Sequence, residues 1–163
     1  MTWTDQPAAD RVRWVAASLG EPRTGHWVAR EAEVSPSTAK KYLEKLVDDR
    51  RLRRLDDGER TLYYPDRVSQ YLDEVREMYE QETASELAKA LGSIRDQIDT
   101  WRREFDVSTP NELRATIVEV DREEGERRRE IAIEWDHLRA RIGIVEDALT
   151  LHDRFPGNER ALA

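Results

Sequence analysis

Between Ser35 and Leu55 lie seven basic and three acidic residues, and three of the chain's four lysines (Lys40, Lys41 and Lys45) fall inside that stretch. Cationic side chains gathered in this way suit a phosphate backbone, because they displace its condensed counterions and fix register on a duplex. Hydroxyl groups on Ser35, Ser37, Thr38 and Tyr42 are interleaved with them, and such groups bond base edges as readily as phosphates. The spacing places these residues on a helix. Ser35 is a good N-cap and Pro36 suits the first helical position. Ala39, Leu43, Leu46 and Val47 then recur at i, i+4, i+7 and i+8, an apolar stripe. At about 100° per residue, Ser37, Thr38, Lys41 and Lys45 fall opposite that stripe, with Lys40 and Tyr42 on its flanks.

Other chemistries find little support. The chain has no cysteine, so disulfide and thiolate–metal chemistry are excluded. His26, His137 and His152 are far apart and form no H-x-x-x-H pair. There is no P-loop and no glycine-rich dinucleotide fingerprint, and no Ser-His-Asp spacing rises above background. The reading is non-enzymatic, with no metal and no cofactor. Trp27, Tyr63, Tyr64, Trp101 and Trp135 could line a pocket for an unidentified small-molecule effector, but aromatics at helical core spacing read as packing. Arg127-Arg128-Arg129 is hemmed in by Glu123, Glu124, Glu126 and Glu130, which reads as a salt-bridged solvated face.

The elements around the basic helix have recognisable signals. A first helix is expected over about 7–19, burying Val12, Val15, Ala16 and Leu19, with Asp5 and Pro7 at its start. Gly20-Glu21-Pro22 turns the chain. Thr24 caps a short second helix that buries Val28, Ala29 and Ala32, and Glu33-Val34-Ser35 is a tight turn with Val34 as an apolar plug. After the basic helix, Leu52–Leu55 and Arg60–Tyr64 are β-prone runs joined by Asp56-Asp57-Gly58-Glu59, a hairpin. Three helices followed by a hairpin make a winged helix-turn-helix.

The segment EPRTGHWVAREAEVSPSTAKKYLEKLVDDRRLRRLDDGERTLYYP resembles the DNA-binding region of archaeal and bacterial winged-helix regulators of the ArsR, MarR and TrmB kind. A "T-x-x-x-[IV]-A" helix leads there through "V-S-x-S-T" into "x-x-x-x-L-x-x-L" and a wing. Thr24, Val28, Ala29, Val34, Ser35, Ser37, Thr38, Leu43 and Leu46 fall on that pattern. The likeness is specific over residues 10–65. Two departures stand out: the wing tip is acidic where many such proteins offer Arg or Lys, and Asp48 and Asp49 follow directly on the basic face.

Charge is unevenly spread. The chain carries 35 acids and 27 bases, net −8. Residues 1–65 are net +1 and residues 66–163 are net −9. An acidic surface with arginine replacing lysine resembles proteins of salt-in halophiles, where screening at molar salt shortens the Debye length to about 3 Å. The chain as a whole is similar to a poorly characterised haloarchaeal winged-helix family. No apolar run approaches the roughly 18 residues of a membrane-spanning helix, and no signal-peptide layout opens the sequence. A cytoplasmic protein is expected.

Residues 66–163 read as helical throughout, a coiled-coil-like dimerisation region distinct from a DNA-binding domain over 1–65. Val68, Leu72, Val75 and Tyr79 should form one face of a helix capped by Asp66. Thr83-Ala84-Ser85-Glu86 is a capping box. Leu87, Leu91, Ile94, Ile98, Trp101 and Phe105 then step as a heptad seam. After a break at 107–109, apolar residues from Leu113 to Leu149 keep one phase with His152, implying a helix of roughly 60 Å. Pairing the two as a hairpin sets Trp101 by Ile117 and Leu87 by Ile131. Trp135, Leu138, Ile142, Val145 and Leu149 are then left to be covered by the helix after Asp66, or by the same element of a second subunit.

The expected fold is therefore mainly α: an N-terminal winged helix-turn-helix and a long C-terminal helical hairpin. The expected function is a sequence-specific, double-stranded-DNA-binding transcriptional regulator acting as a homodimer. Ser37, Thr38, Lys41, Tyr42 and Lys45 would point to base edges or flanking phosphates, with Lys40, Arg53, Arg54 and Arg60 on the backbone. The alternative is a winged-helix protein–protein adaptor that does not bind DNA.

Overall fold

The computed structural model describes residues 2–157. It is mainly helical, with a small three-stranded antiparallel sheet and a long C-terminal helix. The chain divides into two compact units, Met1–Leu72 and Asp73–Ala163. Among the described residues no helix is long and apolar enough to cross a membrane.

The first unit begins with a 3-10 turn, Trp3–Asp5, that the sequence does not announce. Asp5 closes it from below: its carboxylate accepts from the Thr2 amide at 2.8 Å and from the Thr2 hydroxyl at 2.9 Å. Asp5 is thus a clamp on this turn, while α1 (Ala8–Ala17) starts behind Pro7. The short strand β1 (Arg23–Thr24) is also unannounced. Thr24 caps α2 (Gly25–Glu31) by accepting from the Trp27 amide at 3.2 Å. Ser35 caps α3 (Pro36–Asp48) in the same way, through the Thr38 amide. Strands β2 (Leu52–Asp56) and β3 (Thr61–Pro65) form the hairpin, with Arg54 opposite Tyr63 and Leu55 opposite Leu62. β1 adds to the far side of β3, giving the order β1-β3-β2.

Helices α2 and α3 both stop without glycine. Glu33 and Arg50 adopt positive φ, 53° and 58°, and the following amides reach back to the Ala29 and Leu46 carbonyls at 3.0 and 2.8 Å. These back-bonds satisfy carbonyls at the helix end and offset the left-handed strain. The core under the unit is Val12, Val15 and Ala16 from α1, Val28 and Ala29 from α2, Ala39 and Leu43 from α3, and Leu52 and Tyr63 from the hairpin. Complete burial of each Val or Leu side chain contributes about 1.5–3 kcal/mol. Trp14, off this stripe, is 63 % exposed and meets Trp3 edge-on at 5.4 Å.

The boundary between the units falls inside α4 (Arg67–Gln81). Its expected apolar face is split. Val75 and Tyr79 are buried in the second unit, whereas Val68 and Leu72 are 63 % and 58 % exposed. Next comes α5 (Ala84–Phe105), opened by the Thr83/Glu86 capping box.

The long C-terminal helix departs from the sequence reading. The segment after Thr109 does not run straight through: α6 (Pro110–Ala115) gives way to a 3-10 turn (Thr116–Glu119), and Val120 is extended. Only then does α7 (Arg122–Arg154) begin, 33 residues capped by Asp121 accepting from the Glu124 amide at 2.9 Å. The break allows 110–119 to fold back on the start of α7. Gly125 makes room, since a Cβ there would meet Ile117 Cγ2 at 3.3 Å. The hairpin register shifts accordingly. Trp101 packs on Trp135 at 5.9 Å, not on Ile117, and Arg95 pairs with Glu146 at 2.7 Å.

That shift buries two residues of the expected dimer stripe and leaves Leu138, Ile142 and Leu149 partly exposed. Trp135 and Val145 have no exposed surface. Trp135 is held among Ile94, Ile98, Trp101, Leu113 and Ala132, with Leu138 and Ile142 half-buried at the edge of the cluster. Val145 sits with Val75, Tyr79, Leu87 and Ala148, with Leu149 partly buried beside them. The helix after Asp66, one of the two covers considered, meets Val145 through Val75 and Tyr79, while Trp135 is covered by residues of α5 and by Leu113 of α6.

Candidate nucleic-acid interface

The outward face of α3 is built by its inward one. Ala39 and Leu43 are completely buried, and this fixes the roll of the helix, leaving Ser37, Lys40, Lys41 and Lys45 exposed. Among the described residues none of these three lysines forms an ion pair. Lys41 lies 5.4 Å over the Tyr42 ring, and that ring is half-buried against the N-terminal core. Tyr42 is therefore a flank of the core more than a group on the outer face. Ser35 and Thr38 are engaged in the cap: the Ser35 hydroxyl donates to Thr38 Oγ1 at 2.8 Å and lies 3.2 Å from Ser37 Oγ.

The arginines of the hairpin have carboxylate partners. Arg53 lies 3.8 Å from Asp66, Arg60 pairs with Asp57 at 3.2 Å, and Arg54 donates to Glu44 at 2.8 Å. Each is exposed enough for the pair to be weak and exchangeable. Cationic groups thus stand along α3, while those on the hairpin are partly neutralised.

Glu44 is the residue that the sequence reasoning passed over. It lies among the lysines of α3, and its two oxygens reach the hairpin: one accepts from Arg54, the other from the Tyr63 hydroxyl at 2.7 Å. Arg54 and Tyr63 are direct cross-strand neighbours, so one carboxylate ties α3 to both strands. The Tyr63 hydrogen bond holds the Glu44 carboxyl below the usual carboxylate range, with Arg54 and nearby Lys40 adding to it against partial burial. Burial first, then the hydrogen bond to Glu44 and its charge, push the Tyr63 phenol up to about 12. The hydrogen bond to Glu44 likewise raises Arg54 above its ordinary value. Glu44 thus links α3 to both strands of the hairpin.

Between α3, the start of α2 and the hairpin runs a cleft of about 620 Å³, lined by Lys40, Arg54 and Arg60 but also by Glu44, Asp56 and Glu59. A family model matches residues 6–154. The chain belongs to DUF7342, a family of unknown function. Comparisons with curated proteins and with solved structures returned no match.

In this DUF7342 member the three histidines have separate surroundings. His26 lines the α3 cleft, His137 lines a groove of the second unit, and buried His152 donates from Nε2 to the Glu82 carbonyl at 2.9 Å. Among the described residues no group of three or more His, Asp or Glu is gathered to hold a metal ion. Of the five aromatics weighed as a pocket, Trp101 and Trp135 pack on each other, Trp27 carries the Arg23 guanidinium 4.7 Å over its ring, and Tyr63 donates to Glu44. In the 127–129 run, Arg128 pairs with Glu124 at 3.0 Å and Arg127 with Glu104 and Glu124. A signal for Glu44 does exist in the sequence. It falls four residues after Lys40 on the lysine face, and strand alternation turns Tyr63 towards α3.

Proposed function

We propose that this chain is a sequence-specific, double-stranded-DNA-binding transcriptional regulator acting as a homodimer, with a winged helix-turn-helix in the first unit and α3 as its reading helix. The observation that carries this reading is the exposed row Ser37, Lys40, Lys41 and Lys45, whose lysines have no ion-pair partner among the described residues. The element order α1-β1-α2-α3-β2-β3 supports it, since a reading helix followed directly by a hairpin suits a helix in the major groove with a wing alongside. Lys41 and Lys45 would reach phosphates or guanine edges, and Ser37 a base edge or phosphate. Two such helices in a homodimer would address half-sites about one turn, roughly 34 Å, apart.

The Lys41→Ala/Lys45→Ala double variant tests this. Losing two phosphate contacts should lower affinity and reduce the slope of log affinity against log salt by about 2, with molar mass in solution unchanged. Unaltered binding by the double variant would remove α3 as the reader.

A second reading, a winged-helix protein–protein adaptor, is favoured by one observation: Arg53, Arg54 and Arg60 are each paired with a carboxylate, leaving the hairpin little free positive charge. A folded protein that binds no duplex at any salt concentration would support it.

A further inference from the structure

Away from α3, the first unit holds a cleft of about 650 Å³ framed by Trp3, Trp14 and Trp27, with Glu31 as its one charged lining residue among those described. We propose that this cleft binds a small alkylated ammonium ion, with the indole faces as its walls and the Glu31 carboxylate as its counter-charge.

The walls are set by separate elements. Trp3 comes from the 3-10 turn that Thr2 and Asp5 clamp shut, Trp14 from the outer side of α1, and Trp27 and Glu31 from α2, one helical turn apart. The Trp3 and Trp14 rings meet edge to face, 70° apart with centroids at 5.4 Å, and both line the cleft. Core packing does not account for Trp14, which is 63 % exposed. Indole faces carry negative quadrupole potential and attract cations, most strongly where water is partly excluded. Trp27 already shows that affinity, with the Arg23 guanidinium 4.7 Å over its ring and outside the cleft lining.

Glu31 has no ion-pair partner among the described residues, so its charge is available to a ligand. Besides Glu31, the polar groups of the lining are the Gln6 amide, the indole N–H groups and the Ser18 hydroxyl, and the last already donates to the Trp14 carbonyl at 2.8 Å. Walls made mainly of indole suit a cation with a methylated shell, which is attracted by the rings without needing a hydrogen bond. The inference does not rest on the DNA-binding reading, and its test uses no DNA.

The experiment is a titration of the full chain with tetramethylammonium chloride at constant ionic strength, followed by tryptophan fluorescence and indole N–H resonances. tert-Butanol is titrated alongside as the neutral isostere. The expected result is a saturable response to the cation, with the alcohol at least about tenfold weaker. Glu31→Gln should weaken the cation about tenfold and leave the alcohol unchanged. Trp14→Ala, which removes an exposed side chain and leaves the core intact, should abolish the saturable phase. Equal responses to cation and alcohol, no saturation, or identical titrations of wild type and both variants would overturn the proposal.

Discussion

Tyr63→Phe isolates the strut between α3 and the hairpin. The ring is 3 % exposed and stays buried in the variant, so no cavity opens; only the hydroxyl that donates to Glu44 at 2.7 Å is lost. A hydrogen bond to an ionised partner contributes about 1.5–3 kcal/mol net. The Glu44 side chain is 32 % exposed and regains water, which places the cost at the low end, about 1.5 kcal/mol. Glu44→Gln keeps the shape but drops the charge, weakening this bond and the exposed Arg54 pair, for about 1 kcal/mol. In the double variant the shared bond is lost once only, so the double-mutant cycle should give a coupling of about 1 kcal/mol. Native-state hydrogen exchange of α3 and β3 amides reads this locally, without assuming that both units unfold together. The pH dependence has a definite sign. Because the folded state raises the phenol from 10.0 to about 12, the stabilisation is complete below the unfolded value and is lost as pH rises through about 12. The tyrosinate absorbance of wild type should show a late step near 12 that Tyr63→Phe lacks. A coupling near zero, or no late step, would refute the strut.

Glu44→Gln removes the negative charge among the α3 lysines and loosens Arg54; the expected outcome is tighter duplex binding with a salt slope steeper by about 1, read by anisotropy at several salt concentrations. Val145→Ala should destabilise the second unit by about 2 kcal/mol in urea denaturation while leaving molar mass by light scattering unchanged, since Val145 is intrachain core. Gly92→Ala, in the middle of α5 with open space around the added Cβ, should stabilise the chain by up to about 1 kcal/mol. Thermal unfolding followed by circular dichroism checks it.

Local signals in the sequence were informative where one residue decides the outcome. Thr24, Ser35 and Thr83 each cap the helix they precede, because the first turn needs an acceptor and a side-chain oxygen supplies it. The stripe Ala39–Leu43 likewise fixes which side of α3 faces out. Long-range register was not legible. Heptad phase runs almost unbroken from Leu113 to Leu149, and periodicity alone cannot see that Asp121 caps a new helix or that Gly125 lets Ile117 fold back. The two-residue strand β1 is too short for any alternation to mark it. Ion pairs of Arg53, Arg54 and Arg60 depend on strand register and turn geometry, which charges read one at a time along the sequence do not reveal. Glu44 was hidden for the same reason: its partners are ten and nineteen residues away.

The most direct measurement is a fluorescence-anisotropy titration of the purified chain with duplex from its own upstream region, against a scrambled duplex, from low to molar KCl. Molar mass is determined on the same sample. Saturable binding that prefers the upstream duplex and weakens with salt, by a species of twice the chain mass, is the predicted result. A folded protein that treats both duplexes alike, or binds neither at any salt concentration, would contradict the account.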